Sequence, residues 1–159
     1  MCDKKIFLRK AEEEDSHFLF ELRNDELVRK SSFKISPILW ETHRNWLVRV
    51  INSENEHLYV LTDGIECYGQ VRLSVSGEEA DISYSIKNEA RGRGLGKRML
   101  KLAESVLQSE RDIMFVGKVK KDNIASQKVF ERLGYLREEK KEYYLYTKMI
   151  KGCLSIEKK

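Results

Sequence analysis

Residues 91–97 read Arg-Gly-Arg-Gly-Leu-Gly-Lys, and Arg98 follows. Three glycines at alternate positions let main-chain amides approach a ligand closely, with no Cβ in the way. The run lies between a strand-like stretch ending at Ile86 and a helix-like stretch starting near Gly94. A helix N-terminus offers unsatisfied N–H groups and a partial positive charge, and Arg91, Arg93, Lys97 and Arg98 add full charges. These features suit a pyrophosphate cradle. The plainer reading is a tight strand-to-helix turn with solvated arginines. Other phosphate loops fit less well. A Walker loop needs Gly-x4-Gly-Lys-Ser/Thr, but Arg91 stands at its first glycine and Arg98 at its hydroxyl position. A dinucleotide fingerprint needs GxGxxG, and Gly96 comes one residue early.

The elements that must hold this loop follow from the apolar rhythm. Residues 5–9 (KIFLR) predict a strand. Phe18, Leu19 and Leu22, with Leu27 as an extension of the stripe, predict a helix over 16–24 behind an acidic start. Residues 28–36 read as polar and irregular. Pro37 opens a second helix, in which Leu39, His43, Trp46, Leu47 and Val50 share one face. HLYVLT, CYGQVRLSV and ADISYSI predict three strands in an antiparallel meander, with turns at Asp63-Gly64 and Ser76-Gly77-Glu78. A helix with Leu95, Met99, Leu102, Ala103 and Val106 on one side follows the loop. IMFVGKV is a strand, DNIASQKVFERLGY a helix closed by Gly134, and YLREEKK and EYYLYTKMI are strands. The order β-α-α-β-β-β-α-β-α-β-β predicts an α/β (α+β) fold, a mixed central sheet with helices on both faces. One domain is expected over 1–152, with a charged tail over 153–159.

Composition bounds the function. The 159 residues carry 30 Lys and Arg against 26 Asp and Glu, a net charge of +4, and 41% are hydrophobic. That is neither disordered nor membrane-like. The mild positive excess favours an anionic ligand, but the basic residues are interleaved with acids, which argues against nucleic acid as a partner. Cys2, Cys67 and Cys153 are widely spaced with no CxxC, which fits free thiols and no metal site. Neither a signal peptide nor a membrane span is legible, so a cytoplasmic protein is expected, as monomer or homodimer.

Arg91-x-x-Gly94-x-Gly96 after a meander strand resembles the acyl-CoA pyrophosphate loop of the GNAT superfamily of N-acetyltransferases. Asn123-x-x-Ser126, then Phe130 and Leu133-Gly134-Tyr135, is similar to the signature of that superfamily's next helix. The resemblance runs from Ile6 to about Ile150. It implies acetyl-CoA as cosubstrate, held by the backbone of Gly92, Arg93, Gly94, Leu95, Gly96 and Lys97, with Arg91 beside them. It implies that Ser85 and Ile86 pair with the pantetheine arm, and that their strand carries a bulge and splays from the strand around 115–119. Asn123 and Ser126 would contact the arm from the other side; the alternative for both is a helix cap and a polar first turn.

The implied reaction moves an acetyl group to an amine. The amine must lose a proton, the carbonyl oxygen needs a donor, and the departing thiolate needs a proton. The resemblance assigns the carbonyl to the Ile86 amide. It puts a tyrosine seven residues after Asn123 as the thiolate acid, where this chain has Phe130. A Phe130→Tyr change is expected to leave the fold intact, and Val at Gly94 or Gly96 to abolish acetyl-CoA binding. Tyr84 is a candidate replacement acid, as are Tyr143, Tyr144 and Tyr146. For the base, Asp81 and Glu79 sit where carboxylates serve in some relatives, or are merely turn acids. His43 is a structural histidine, a substrate contact or a base.

The stretch Leu22-Arg23-Asn24-Asp25, Val28-Arg29, Ser31-Ser32, Ile38, His43 and Trp46 resembles N-acetyltransferases acting on nucleotide-linked amino-dideoxyhexoses, of the pseudaminic-acid pathway type. It also looks like ribosomal-protein alanine N-acetyltransferases. The resemblance implies a small-molecule amine acceptor, with a sugar nucleotide as one candidate, contacted by Arg23, Asn24, Arg29, His43 and Trp46. Arginine pairs bidentately with diphosphate, although Arg23 and Arg29 have many acids nearby to pair with instead. A protein N-terminal acetyltransferase and a non-catalytic acyl-CoA-binding module are the alternatives.

Overall fold

The computed structural model describes residues 5–107 and 111–152. The expected charged tail over 153–159 and the positions of Cys2 and Cys153 lie outside the described residues. Seven strands form one mixed sheet in the order β1-β2-β3-β4-β5-β7-β6. They are β1 (Phe7–Lys10), β2 (Glu56–Thr62), β3 (Cys67–Ser76), β4 (Glu79–Ile86), β5 (Ile113–Lys120), β6 (Leu136–Glu139) and β7 (Tyr143–Ile150). The helices are α1 (Ser16–Asn24), α2 (Glu26–Ser31), α3 (Trp40–Ile51), α4 (Leu95–Val106) and α5 (Ile124–Arg132). The β2-β3-β4 meander is antiparallel as expected, and β4 meets β5 in parallel.

The first half differs from its sequence reading in two places. Residues 26–31 form α2, because Asp25 Oδ1 accepts from the N–H groups of Leu27 (3.0 Å) and Val28 (3.1 Å). The cap was readable, but the segment lacks an apolar stripe, and Leu27 is exposed rather than part of α1's packed face. α3 begins at Trp40, not at Pro37. Asn24 holds both main-chain groups of Ile38, accepting its N–H at 2.7 Å and donating to its C=O at 2.9 Å. Residues up to Leu39 therefore stay extended, and Leu39 caps α3 with ψ near 149°.

Strand alternation divides the side chains between two faces. Tyr59, Leu61, Val71, Leu73, Ala80, Phe115 and Tyr146 pack beneath α4 and α5 with Leu95, Met99, Leu100, Ala103 and Phe130. Leu58 and Val60 point to the opposite face, where Leu19 of α1 and Leu47 and Val50 of α3 cover them. Of the expected α4 stripe, Leu95, Met99 and Ala103 are buried, Leu102 is half-buried and Val106 is exposed.

Candidate active site

The β4–β5 ladder runs only from Glu79↔Met114 to Ile82↔Gly117, after which the two strands part. β3 and β4 instead stay paired from Ser76↔Glu79 to Gly69↔Ile86 with no shift of register. The expected splay is present, but β4 carries no bulge against β3. The packing at Gly117 sits where the strands diverge. A Cβ there would lie 2.4 Å from Phe130 Cζ, so the absent side chain admits the Phe130 ring against the β5 backbone. Phe130 stacks on Tyr146 (5.1 Å, 12°) and meets Tyr135 and Tyr84 edge-on. Its para carbon therefore points at the strand. A tyrosine hydroxyl has no room, which corrects the expectation that Phe130→Tyr leaves the fold intact.

Which main-chain groups face the gap follows from the ladder. Lys87 N–H donates to Tyr68 C=O at 2.9 Å, so hydrogen-bonded pairs in this antiparallel ladder recur at Ser85↔Gln70 and Ser83↔Arg72. The intervening residues direct their N–H and C=O groups toward β5. At Ala80 and Ile82 β5 is there to pair with them; at Tyr84 and Ile86 it has departed. The gap is thus lined by the main-chain groups of Tyr84 and Ile86, whereas those of Ser85 turn to β3. Gly69 opposite makes this approach possible, since a Cβ on it would lie 2.5 Å from Ser85 O.

A cavity of about 800 Å³ runs through the gap and opens on both faces of the sheet. On the α4–α5 face it is lined by Gly92, Gly94, Leu95, Gly96 and Lys97, and by Asn123, Ser126 and Phe130. Gly92 (φ 77°) and Gly94 (φ 73°) are left-handed, and no side chain caps α4. Its first residues, Leu95, Gly96 and Lys97, line the cavity, so N–H groups without a side-chain cap are at hand there, as at an anion-binding helix terminus. Gly96 is helical, with Tyr84 and Val129 each 3.5 Å from a Cβ placed on it. Arg91 turns back to Ile86 C=O (3.3 Å) and to Asp25 (3.5 Å), which ties the loop to the start of α2. Arg93 lies over the Tyr68 ring at 5.4 Å. Asn123 Oδ1 accepts the Ser126 N–H at 3.2 Å, so this side chain caps α5 while lining the cavity.

Tyr84 is the one tyrosine among the lining residues, its hydroxyl 2.8 Å from Ser126 Oγ. Burial pushes its pKa up to about 12, against a smaller opposing pull from the Ser126 hydrogen bond, so the phenol keeps its proton. Tyr143, Tyr144 and Tyr146 do not line the cavity, and Tyr146 donates to Glu131 at 2.8 Å.

On the opposite face the lining is Val28, Ser31, Ser32 and Phe33 from α2 and its exit, Arg72 and Ser74 from β3, Asp81, Ser83 and Ser85 from β4, and Lys118 from β5. Asp81 is the only carboxylate among the lining residues, and Glu79 is not among them. Asp81 pairs across with Val116, one position from where the strands part.

The expected acceptor contacts lie behind this wall. Asn24 holds Ile38, and Arg29 donates from Nε to Asn24 C=O (3.1 Å) and from a terminal nitrogen to Ile35 C=O (3.1 Å). His43 is fully buried among Phe20, Trp40 and Trp46, with neither ring nitrogen hydrogen-bonded. Burial, with a contribution from the Arg23 charge, pushes its pKa down to about 4, so it is neutral. Arg23 stacks on Trp46 at 4.5 Å. None of these five lines the cavity. Arg72 and Lys118 line it and escaped the sequence reading. They occupy polar positions of alternating strands, and only the strand register reveals which face those positions share.

A family model described as an acetyltransferase (GNAT) domain matches residues 5–136. Among solved structures, an acetyltransferase from Salmonella typhimurium that modifies the N-terminal serine of 50S ribosomal subunit protein L7/L12 superposes with a TM-score of 0.79 at 21% identity, covering 93% of this chain and 96% of that one. Spermidine N-acetyltransferase from Vibrio cholerae, in complex with CoA and spermine, gives 0.78 at 17% identity over 94% and 96% of the two chains. A domain from Methanocaldococcus jannaschii gives 0.77 at 22% identity over 92% and 99%. At these identities the likeness is one of fold. No curated protein sequence matches the chain.

Proposed function

The chain belongs to the GNAT acetyltransferase family, and on that premise we propose that it transfers an acetyl group from acetyl-CoA to the primary amine of a small molecule, with a nucleotide-linked amino sugar as the leading acceptor. The observation that carries this reading is the cavity through the parted strands, with an uncapped helix start and two left-handed glycines at one mouth. Those residues fit the pyrophosphate of CoA in charge and in backbone exposure. Arg91, Gly92, Arg93, Gly94, Leu95, Gly96 and Lys97 would hold it, and Tyr84 and Ile86 would pair with the arm through the main-chain groups that face the gap. Asn123 and Ser126 line the facing wall.

Bound acetyl-CoA supplies the thioester whose carbonyl carbon the amine attacks. Asp81 takes the proton that the amine must lose. The Ile86 N–H donates to the carbonyl oxygen as negative charge grows there. Tyr84 gives its proton to the sulfur as the C–S bond breaks and the C–N bond forms, with Ser126 holding the phenol in place. Phe130, wedged against Gly117, has no proton to give.

The acceptor mouth favours one amine on a neutral or anionic carrier. A polycation would meet one carboxylate, Asp81, against Arg72 and Lys118 on the same face. Serines at 31, 32, 74, 83 and 85 offer hydroxyl partners suited to a sugar. Release of CoA thiol from acetyl-CoA tests the reading against nucleotide-linked amino sugars, N-terminal peptides, aminoglycosides and polyamines. Turnover with the first group alone is the expected result. Turnover with peptides alone moves the assignment to protein N-termini, and CoA binding without turnover on any amine overturns the enzyme.

A further inference from the structure

The helix α2 forms part of the acceptor mouth, through Val28 and Ser31, without burying any of its six residues. A helix this short does not persist by itself in water, so α2 depends on what is attached to its ends. At its exit Lys120 of β5 donates to Lys30 C=O at 3.0 Å, and Phe33 meets Tyr143 of β7 edge-on at 5.9 Å. At its start Asp25 Oδ1 accepts from the N–H groups of Leu27 and Val28, and Arg91 of the glycine loop reaches the same oxygen at 3.5 Å. Thus α2 bridges the parted strands. It is fastened to β5 and β7 on one side and to the loop that follows β4 on the other.

Arg91 belongs to both mouths. It lines the cavity, its Nε donates to Ile86 C=O at 3.3 Å, and one terminal nitrogen, Nη2, pairs with Asp25. Among the described residues the other terminal nitrogen, Nη1, has no protein partner. A guanidinium carries five N–H donors in a fixed fork, so it can meet a phosphate without releasing Asp25. The chain beside it is of the most permissive kind, with left-handed glycines at 92 and 94. An anion seated on the N–H groups of that loop restricts it, and with it the root of the Arg91 side chain.

We propose that Arg91 and Asp25 form a latch through which an occupied pyrophosphate loop firms α2 over the acceptor mouth, so that cosubstrate and acceptor favour each other's binding. Asp25 is then a positioning residue for the acceptor, and Arg91 acts at both ends of the cavity. The element that responds is α2 itself, formed or frayed, and the coupling is reciprocal. Its size is that of a part-exposed ion pair, about two- to fivefold. The latch rests on the acyl-CoA reading of the loop.

Amide hydrogen exchange at Leu27 and Val28, followed by NMR with and without saturating CoA, reads the latch without any acceptor. CoA should slow both amides by about two- to fivefold in the wild-type protein. Asn caps a helix as well as Asp does, so Asp25→Asn keeps the cap and removes only the charge. In that variant, and in Arg91→Gln, saturating CoA should leave both amides unchanged, and Arg91→Lys should keep part of the response. Exchange at the Ser126 amide, which Asn123 caps on the facing wall, checks that each free protein is folded. CoA that binds with no slowing, or with equal slowing in Asp25→Asn, overturns the latch alone. Faster exchange with CoA also overturns it, because Arg91 would then have left Asp25 for the phosphate. Failure of CoA to bind removes the acyl-CoA reading and the latch together.

Turnover provides the second arm, with the amine that the thiol-release screen finds to be used best. At saturating acetyl-CoA, Asp25→Asn should raise the acceptor KM about two- to fivefold and keep kcat. Adding Arg91→Gln to Asp25→Asn should raise that KM no further, since the two residues act as one contact. Additive losses, or a fall in kcat with KM kept, overturn the latch.

Discussion

The two mouths of the cavity are built from different materials. At the α4–α5 mouth main chain supplies much of the polar surface, through left-handed Gly92 and Gly94, the uncapped start of α4 and the edge groups of Tyr84 and Ile86, beside the side chains of Lys97, Asn123 and Ser126. At the α1–α3 mouth it is side chain: Asp81, Arg72, Lys118 and a row of serines, behind which Asn24 and Arg29 hold the walls in place. Main-chain surface can serve one invariant partner. Side-chain surface can be changed residue by residue without disturbing the ladder beneath it. The first mouth suits a shared cosubstrate and the second an individual acceptor.

Chemistry at the junction of the two regions is the most sensitive place to test this division. Tyr84→Phe keeps the ring against Gly96 and removes only the proton. We expect kcat to fall about a hundredfold, the lower range for a lost general acid, with CoA affinity unchanged. Because burial pushes the phenol up to about 12, wild-type kcat should show no alkaline loss from this group below about pH 10, two units short of that value. Loss of CoA affinity in place of kcat would make Tyr84 part of the first mouth's wall and nothing more.

Gly117→Ala attacks the wedge behind both mouths. Its methyl would stand 2.4 Å from Phe130 Cζ, an overpacking expected to cost about 1–3 kcal/mol. The denaturant midpoint should fall with an unchanged slope, and Phe130→Leu in the same chain should restore part of it. Failure of that rescue would mean that the gap is held open by something other than the ring.

Within the first mouth, two glycines separate backbone conformation from space. Gly94→Ala forces a side chain into the left-handed region, costing about 1–2 kcal/mol, or roughly tenfold in CoA affinity if the loop must deform to relieve it. Gly96→Ala lies in a helix with contacts at an ordinary 3.5 Å and should leave affinity within about twofold, about 0.4 kcal/mol. Equilibrium binding of CoA to the two variants measures the difference. Equal losses would mean that the ligand's phosphates touch the Cα of both.

The same contrast explains what could be read in advance. Gly94 and Gly96 announce their mouth because a backbone site leaves its mark as a spacing of residues with no side chain. The β2–β4 meander was legible for a similar local reason, alternation between turns. Arg72 was not, because its meaning depends on a register spanning three strands, in which residue 72 faces residue 83. His43 and Trp46 were read correctly as sharing a helical face. Helical periodicity could not say that this face turns toward the sheet, away from the cavity. Asn24 looked like a ligand contact because a buried structural amide and a binding amide carry the same side chain. Phe130 looked replaceable by tyrosine because the glycine it abuts lies 13 positions upstream in a different element.

Side-chain clamps hold the second mouth, so it should loosen first. Asn24→Ala frees Ile38 and should raise acceptor KM a few-fold at constant CoA affinity, two hydrogen bonds of about 1 kcal/mol each being lost in a segment that only borders the cavity. A smaller effect comes from Asp15, which Arg9 of β1 grips through two bonds of 2.8 Å as α1 begins. Burial alone would raise the Asp15 pKa, but the Arg9 hydrogen bonds, the Glu12 N–H and the Arg9 charge together carry it below 3.8. A carboxyl depressed on folding stabilises fully above its unfolded value and loses that contribution as pH falls through the folded one. The stability due to this pair is therefore complete at neutral pH and drains away below pH 3.8. Asp15→Asn should cost about 1 kcal/mol at pH 7, because Arg9 is partly exposed and water screens the pair. The variant should also flatten the acid limb of the stability curve. Thermal unfolding of both proteins across acid pH measures this directly. If the Asn variant keeps the wild-type acid slope, the start of α1 is held by packing, and the second mouth depends less on side-chain polarity than its hydrogen bonds imply.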